Sequence, residues 1–163
     1  MNSKPAAQSI EEQLNLPRPV QTCGHDFILT VALVSRMLGA QGRELLKGSS
    51  LTEAQFNILM LLKHQFPGGT NQMELSRRML VNRANVTGLI DRLERDGLVG
   101  RSRARGDRRS NLVRITSRGI RRLDNAEPRY FEGVRKIAGK IPARDRRKTM
   151  QTLLALCRLM ETG

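Results

Sequence analysis

Apolar residues recur along most of this chain at the three- and four-residue spacings of an amphipathic helix. Phe27, Val31, Val34 and Leu38 share one face, beside Ile28 and Leu33, and predict a helix from about Gly24 to Lys47, ended by Gly48-Ser49-Ser50. Thr52-Glu53-Ala54-Gln55 has the form of a capping box, with Thr52 at the N-cap and Gln55 reaching back to it. The helix it opens runs to about His64 and carries Phe56, Ile58, Leu59, Met60, Leu61 and Leu62. Apolar nearly all round, it is expected to be the buried central helix. Pro67-Gly68-Gly69 breaks the pattern, and Asn71-Gln72-Met73-Glu74 offers a second capping box for a short helix to about Leu80. After a turn at Val81-Asn82, with Asn82 as cap, Val86, Leu89, Ile90 and Leu93 form an i, i+3, i+4, i+7 stripe that Gly97 closes.

Two extended runs follow, Leu98 to Arg103 and Asn111 to Ile115, with a seven-residue loop between them and Gly106 near its tip. Thr116 caps a further helix, which Pro128 is expected to kink or split. A last helix follows Pro142, with Met150, Leu153, Leu154, Cys157 and Met160 on one side. Residues 1–22 are polar, carry three prolines and read as an arm. The fold class is therefore mainly α with a small β-hairpin (α+β): a helix-turn-helix with the hairpin as its wing. A helix of ~10–12 Å diameter fits the B-form major groove, which is ~12 Å wide.

Length and charge narrow the function. At 163 residues the chain is sized for one domain, with a core of Leu and Met, since aromatics make up 3% and Trp is absent. The longest apolar run, Phe27 to Val34, is too short to cross a bilayer, and the N-terminus lacks the apolar segment of a signal peptide. The expected location is the cytoplasm, with no membrane partner. The net charge of +14 implies a polyanionic partner. It is concentrated between residues 76 and 122, where 14 Arg and no Lys face Asp91, Glu94, Asp96 and Asp107. Arg is the residue suited to bidentate phosphate and guanine contacts. Cys23 and Cys157 lie far apart with no ligand cluster, so free thiols are expected, and neither a structural metal nor a cofactor.

Three segments resemble a known family. Leu51-Thr52-Glu53-Ala54-Gln55-Phe56 resembles the opening of its central helix, and the run from Asn85 to Val99 its recognition helix and following glycine. Asp107-Arg108-Arg109-Ser110-Asn111-Leu112-Val113-Arg114-Ile115-Thr116-Ser117-Arg118-Gly119 resembles its wing signature, an acid-x-Arg, a strand, then Thr-x-x-Gly. The family is the MarR (multiple antibiotic resistance) family of winged-helix transcriptional regulators, and the resemblance covers roughly residues 24–162. It implies a homodimer held by helices from both chain ends, each subunit offering one winged helix to half of a palindromic operator in double-stranded DNA. The organisation it implies is an arm (1–22), an N-terminal dimerisation helix (23–50), a winged helix-turn-helix (51–116) and C-terminal dimerisation helices (117–163). The apolar stripes on the first and last helices fit such a dimer, and they equally fit the closing of one monomeric core.

On the recognition helix the buried stripe leaves Arg83, Ala84, Asn85, Thr87, Gly88, Asp91, Arg92 and Arg95 facing outward. The N-terminal group points at base edges in helix-turn-helix docking. Asn85 suits adenine, Arg83 suits guanine, and Ala84 or Thr87 suits a thymine methyl. Gly88 costs about 1 kcal/mol against Ala in a helix interior, which fits close approach to the sugar-phosphate chain or simple tolerance. Arg101, Arg103, Arg105, Arg108 and Arg109 crowd the hairpin. The resemblance implies that Asp107 orients Arg109 toward the minor groove; Arg105 and Arg108 join it on charge and position. The resemblance further implies release by a small aromatic or phenolic effector, with Ser35, Arg36, Phe56 and Met60 as a candidate lining by position, although each also reads as ordinary packing. An enzyme is disfavoured: His25 and His64 are the only histidines, and no nucleophile elbow, zinc motif or phosphate-binding glycine loop is present. An RNA or single-strand binder would stack bases on aromatics, and none lies between Phe66 and Tyr130. The rival to a sequence-specific repressor is a nonspecific architectural winged-helix protein without an effector.

Overall fold

The computed structural model describes residues 10–14, 24–79, 84–104 and 107–161, without the side chains of residues 11, 84, 85, 103, 104 and 107–111. The chain forms two compact units that divide between Glu44 and Leu45. The first holds α1 (Ile10–Leu14), a single helical turn inside the segment read as an arm, and nearly all of α2 (His25–Leu45). On α2, Phe27, Ile28, Val34, Met37 and Leu38 are exposed. Cys23 lies outside the described residues.

The second unit runs α3 (Glu53–Met60), a π-helical turn (Leu61–Gln65), β1 (Thr70–Asn71), α4 (Gln72–Arg78), α5 (Ala84–Arg95), β2 (Val99–Ala104), β3 (Asp107–Ile115), α6 (Ser117–Gly139) and α7 (Ala143–Glu161). The capping box is present in both directions: Gln55 N donates to Thr52 Oγ1 at 3.3 Å, and Thr52 N donates to Gln55 Oε1 at 2.9 Å. The central helix is as buried as its composition requires, with Phe56, Ile58, Leu59 and Leu62 all but inaccessible. Around it pack Leu75 of α4, Val86, Leu89, Ile90 and Leu93 of α5, Val113 of β3, and Leu123 and Ala126 of α6. The Phe56 ring rests on Tyr130 at a centroid distance of 4.5 Å. Among the described residues, no helix is long and apolar enough to cross a membrane.

Three expectations need correction, and a fourth gains an element. Asn71 caps α4, accepting from Glu74 N at 2.8 Å, but Glu74 does not return the bond; its carboxylate takes Arg78 Nε at 2.9 Å. Pro128 does not split its helix: α6 continues through it for 23 residues. Position 128 is exposed, as is Asp124, so the interrupted hydrogen bond lies on an exposed face of the helix. The hairpin strands run to Ala104 and from Asp107, so the connection shrinks from seven residues to positions 105–106, which lie outside the described residues. The register slips just before that connection, since Arg103 faces Asn111 while Ala104 faces Asp107, and residues 108–110 take up the difference as a bulge. Finally, the hairpin is part of a three-stranded sheet of order β1-β3-β2, in which Thr70 pairs with Val113 and Asn71 with Leu112.

Candidate nucleic-acid interface

The amphipathic stripe makes α5 what it is. Val86, Leu89, Ile90 and Leu93 are buried, which turns Thr87, Gly88, Asp91, Arg92 and Arg95 to the exposed side. Behind it the chain stops in a Schellman motif: Gly97 takes φ +69°, its N donates to Glu94 O at 2.9 Å, and Leu98 N donates to Leu93 O at 2.8 Å. Thr116 then ties three elements together. Its hydroxyl donates to Gly97 O at 2.7 Å, its N donates to Leu98 O at 3.0 Å, and its Oγ1 accepts from Gly119 N at 3.0 Å as the cap of α6. Gly119 has to be glycine here, because a Cβ would stand 2.1 Å from Leu98 O. The Thr-x-x-Gly signature thus fixes the root of the wing to the end of α5 and the start of α6.

Individual candidates fare differently. Thr87 Oγ1 accepts a hydrogen bond from Gln72 Nε2 at the start of α4, which holds the side chain of one outward residue and joins the two helices of the motif. Arg92 Nε donates to Gly88 O at 3.0 Å, laying its side chain along the helix. Around Gly88 itself a Cβ would meet nothing within 4 Å, so no internal packing demands a glycine there. Ala84 and Asn85 are placed by backbone in the first turn of α5, and Arg103, Asp107, Arg108 and Arg109 by backbone on the hairpin strands. Arg83 and Arg105 lie outside the described residues, as does the Val81-Asn82 turn. Of the candidate effector lining, Ser35 and Arg36 are exposed on α2 in the first unit. In the second, Phe56 is spent in the core against Tyr130 and Met60 is half-buried against that core.

Arg101 departs from the rest of the wing. Its Nη1 donates to the Glu94 carboxylate and its Nη2 to that of Asp91, while its backbone N donates to Glu94 Oε1 at 3.2 Å. Those carboxylates, Asp91 first, hold its guanidinium above its usual pKa. Two further arginines escaped the sequence reading. Arg77 and Arg78 occupy the last turn of α4 with exposed side chains, where the first helix of such a motif crosses the DNA backbone. They belong to the Arg-rich stretch, which was the signal available for them. Both lean on Glu74, at 3.7 and 2.9 Å, and Arg78 stands 6.0 Å from the centre of the Phe66 ring. Between the π-helical turn and α6, Lys63 Nζ bridges Asp124 at 2.7 Å and Glu127 at 2.6 Å, and His64 Nε2 meets Glu127 at 3.0 Å. The π-helical turn presents both residues to α6.

The arrangement offers a cation-rich helix face beside an Arg-rich hairpin, both anchored to one core. A family model described as the MarR family matches residues 51–111. The chain is 31% identical over 109 residues to the HTH-type transcriptional repressor YetL of Bacillus subtilis, covering 67% of this chain and 65%, just under two thirds, of that protein. It is also 31% identical over 121 residues to the homoprotocatechuate degradative operon repressor of Escherichia coli, covering 73% of this chain and 80% of the relative. Among solved structures it resembles CouR from Rhodococcus jostii RHA1 bound to p-coumaroyl-CoA, with a TM-score of 0.71 at 26% identity over 84% of this chain and 95% of that one.

Proposed function

This chain belongs to the MarR family of transcriptional regulators, and on that footing we propose that it binds a palindromic operator in double-stranded DNA as a homodimer and represses the adjoining genes. The observation that carries the reading is α5 itself. Its apolar stripe is wholly absorbed by the core, and the opposite side presents Thr87, Gly88, Arg92 and Arg95 next to an Arg-rich hairpin. A helix exposed in that way reads base edges from its first turns, which carry Ala84, Asn85, Thr87 and Gly88, with Arg83 preceding them in sequence, while Arg92, the strand residues Arg103, Arg108 and Arg109, and Arg105 between them in sequence supply phosphate and minor-groove contacts, with Asp107 orienting Arg109. The dimer is supported by α7, whose Met150, Leu153, Leu154, Leu159 and Met160 are all exposed, and by the exposed apolar face of α2. Monomeric proteins seldom leave such faces uncovered. Repression follows the two named repressors among the relatives. Release by a small aromatic or phenolic effector completes the reading, supported by the p-coumaroyl-CoA held by CouR.

The experiment is selection of duplexes from a random-sequence pool, followed by anisotropy binding to the selected duplex and to a scrambled one at several salt concentrations. Asn85→Ala is expected to cost about 1–3 kcal/mol on the selected duplex and much less on the scrambled one. Arg105→Ala should weaken both alike and lower the log–log salt slope by about one per subunit. Equal loss on both duplexes for Asn85→Ala would mean that the helix does not read bases, and the architectural reading would replace this one.

A further inference from the structure

Arg101 lies in the most basic segment of the chain, yet it does not contribute to the positive face. Its guanidinium forks across Asp91 and Glu94, one turn apart near the end of α5, and its backbone N adds a third bond to Glu94. The arginine is the most covered of the three, with 26% of its side chain accessible against 55% and 37% for the two acids. One positive and two negative charges leave the cluster anionic, the wrong sign to meet a phosphate. Its geometry is that of a tie between two elements. The root of the hairpin is held by the Gly97 turn, the Thr116 bonds and the buried pair Leu98 and Val99, and β3 is held by β1 at Val113 and Leu112; the Arg101 fork joins β2 directly to the side chains of α5.

We propose that Arg101 is a positioning residue, which fixes the angle of the β2–β3 hairpin against α5 so that wing and helix meet duplex DNA as one rigid body. The inference rests on the DNA-binding reading above. The alternative is an arginine that swings away from its acids to contact phosphate, and the two predict opposite signs for one experiment. Removing the negative charges of Asp91 and Glu94 would strengthen binding if Arg101 is a phosphate contact, since it frees the arginine and relieves repulsion. It would weaken binding if Arg101 is a tie, since the tie is lost.

The test compares Asp91→Asn/Glu94→Gln, Arg101→Ala and the combination of all three, on the duplex that the wild-type protein selects from a random pool. Hydrogen exchange of the hairpin amides, residues 99–104 and 107–115, is measured without DNA. The paired acid variant should bind about ten-fold more weakly, Arg101→Ala by a similar factor, and the triple variant no worse than either. Hairpin amides should exchange about ten-fold faster in all three while those of α3 keep their wild-type rates. Arg101→Lys, which keeps the charge without the fork, should fall between; wild-type affinity and exchange in that variant would overturn the role of the fork. Tighter binding by the paired acid variant, additive losses, or unchanged hairpin exchange would each overturn the proposal. If the wild-type protein selects no duplex, it is the DNA-binding reading that fails, and the exchange rates alone decide whether Arg101 ties the hairpin.

Discussion

A Cβ at Gly119 would fall 2.1 Å from Leu98 O and 2.8 Å from Ile115 Cγ1, whereas one at Gly88 would meet nothing within 4 Å. Leu98 O cannot give way easily, because it accepts Thr116 N as well. Gly119→Ala is therefore expected to lower stability by about 1–3 kcal/mol. Gly88→Ala, in an open helical position, should raise it by up to about 1 kcal/mol. Urea unfolding of the two variants checks both signs, and duplex binding by Gly88→Ala then shows whether the missing side chain makes room for the sugar-phosphate chain. At this scale the sequence announced which residues matter better than what they do. Gly88 stands out as a poor helix former and Arg101 as one more charge in a basic run. That Arg101 turns inward depends on Asp91 and Glu94 meeting it from another element, and residue type alone carries no such direction.

Helix α6 runs unbroken through Pro128, although proline removes one hydrogen bond from its interior. Pro128→Ala restores the donor toward Asp124 O but gives back some unfolded-chain entropy, so a net gain of about 2 kcal/mol is expected, visible as a higher Tm. Two groups around this helix hold their protons more tightly in the folded chain. Lys63 is raised above its ordinary value by its hydrogen bonds to Asp124 and Glu127, and Tyr130 is raised by burial. A raised folded pKa gives stability that is complete below the unfolded value and lost above it. Stability should therefore decline as pH climbs past about 10, and less steeply in Lys63→Met, as urea titrations between pH 8 and 11 would record. Elements with long apolar periods were legible in the sequence: the capped central helix, the α5 stripe, the last helix. The polar run from Asp107 to Ser110 has no alternation to mark it as strand, and Thr70–Asn71 is too short to have any period. Asp107 joins the ladder through Ala104, just across the connection, while Thr70–Asn71 exists through pairing with Val113 and Leu112, distant in sequence; Pro128 sits on an exposed face of its helix.

As a whole, the molecule carries a +14 charge on a scaffold whose α7 leaves an apolar face open. Sedimentation equilibrium at micromolar concentration should return the mass of two chains; one chain throughout would remove the palindrome from the reading. If each subunit neutralises about four or five phosphates, the dimer's log–log salt slope on duplex DNA should be about −7 to −9, and a slope shallower than about −3 would exclude the Arg-rich stretch as the binding surface. The small strand β1 gives this assembly an order in time. The β2–β3 hairpin is local and can zip in ~1–10 μs. β1 must wait for residues 70 and 113 to find each other, at the cost of closing the long loop between them. Asn71 serves both that ladder and the cap of α4, so the first helix of the motif is expected to seat after the wing, and Asn71→Ala should speed unfolding while leaving the folding rate nearly unchanged in stopped-flow measurements. Interactions made so late weigh on the escape rate and hardly on the rate of folding. On that expectation the two-residue ladder that completes the sheet also governs how long the helix-turn-helix, once assembled, stays assembled.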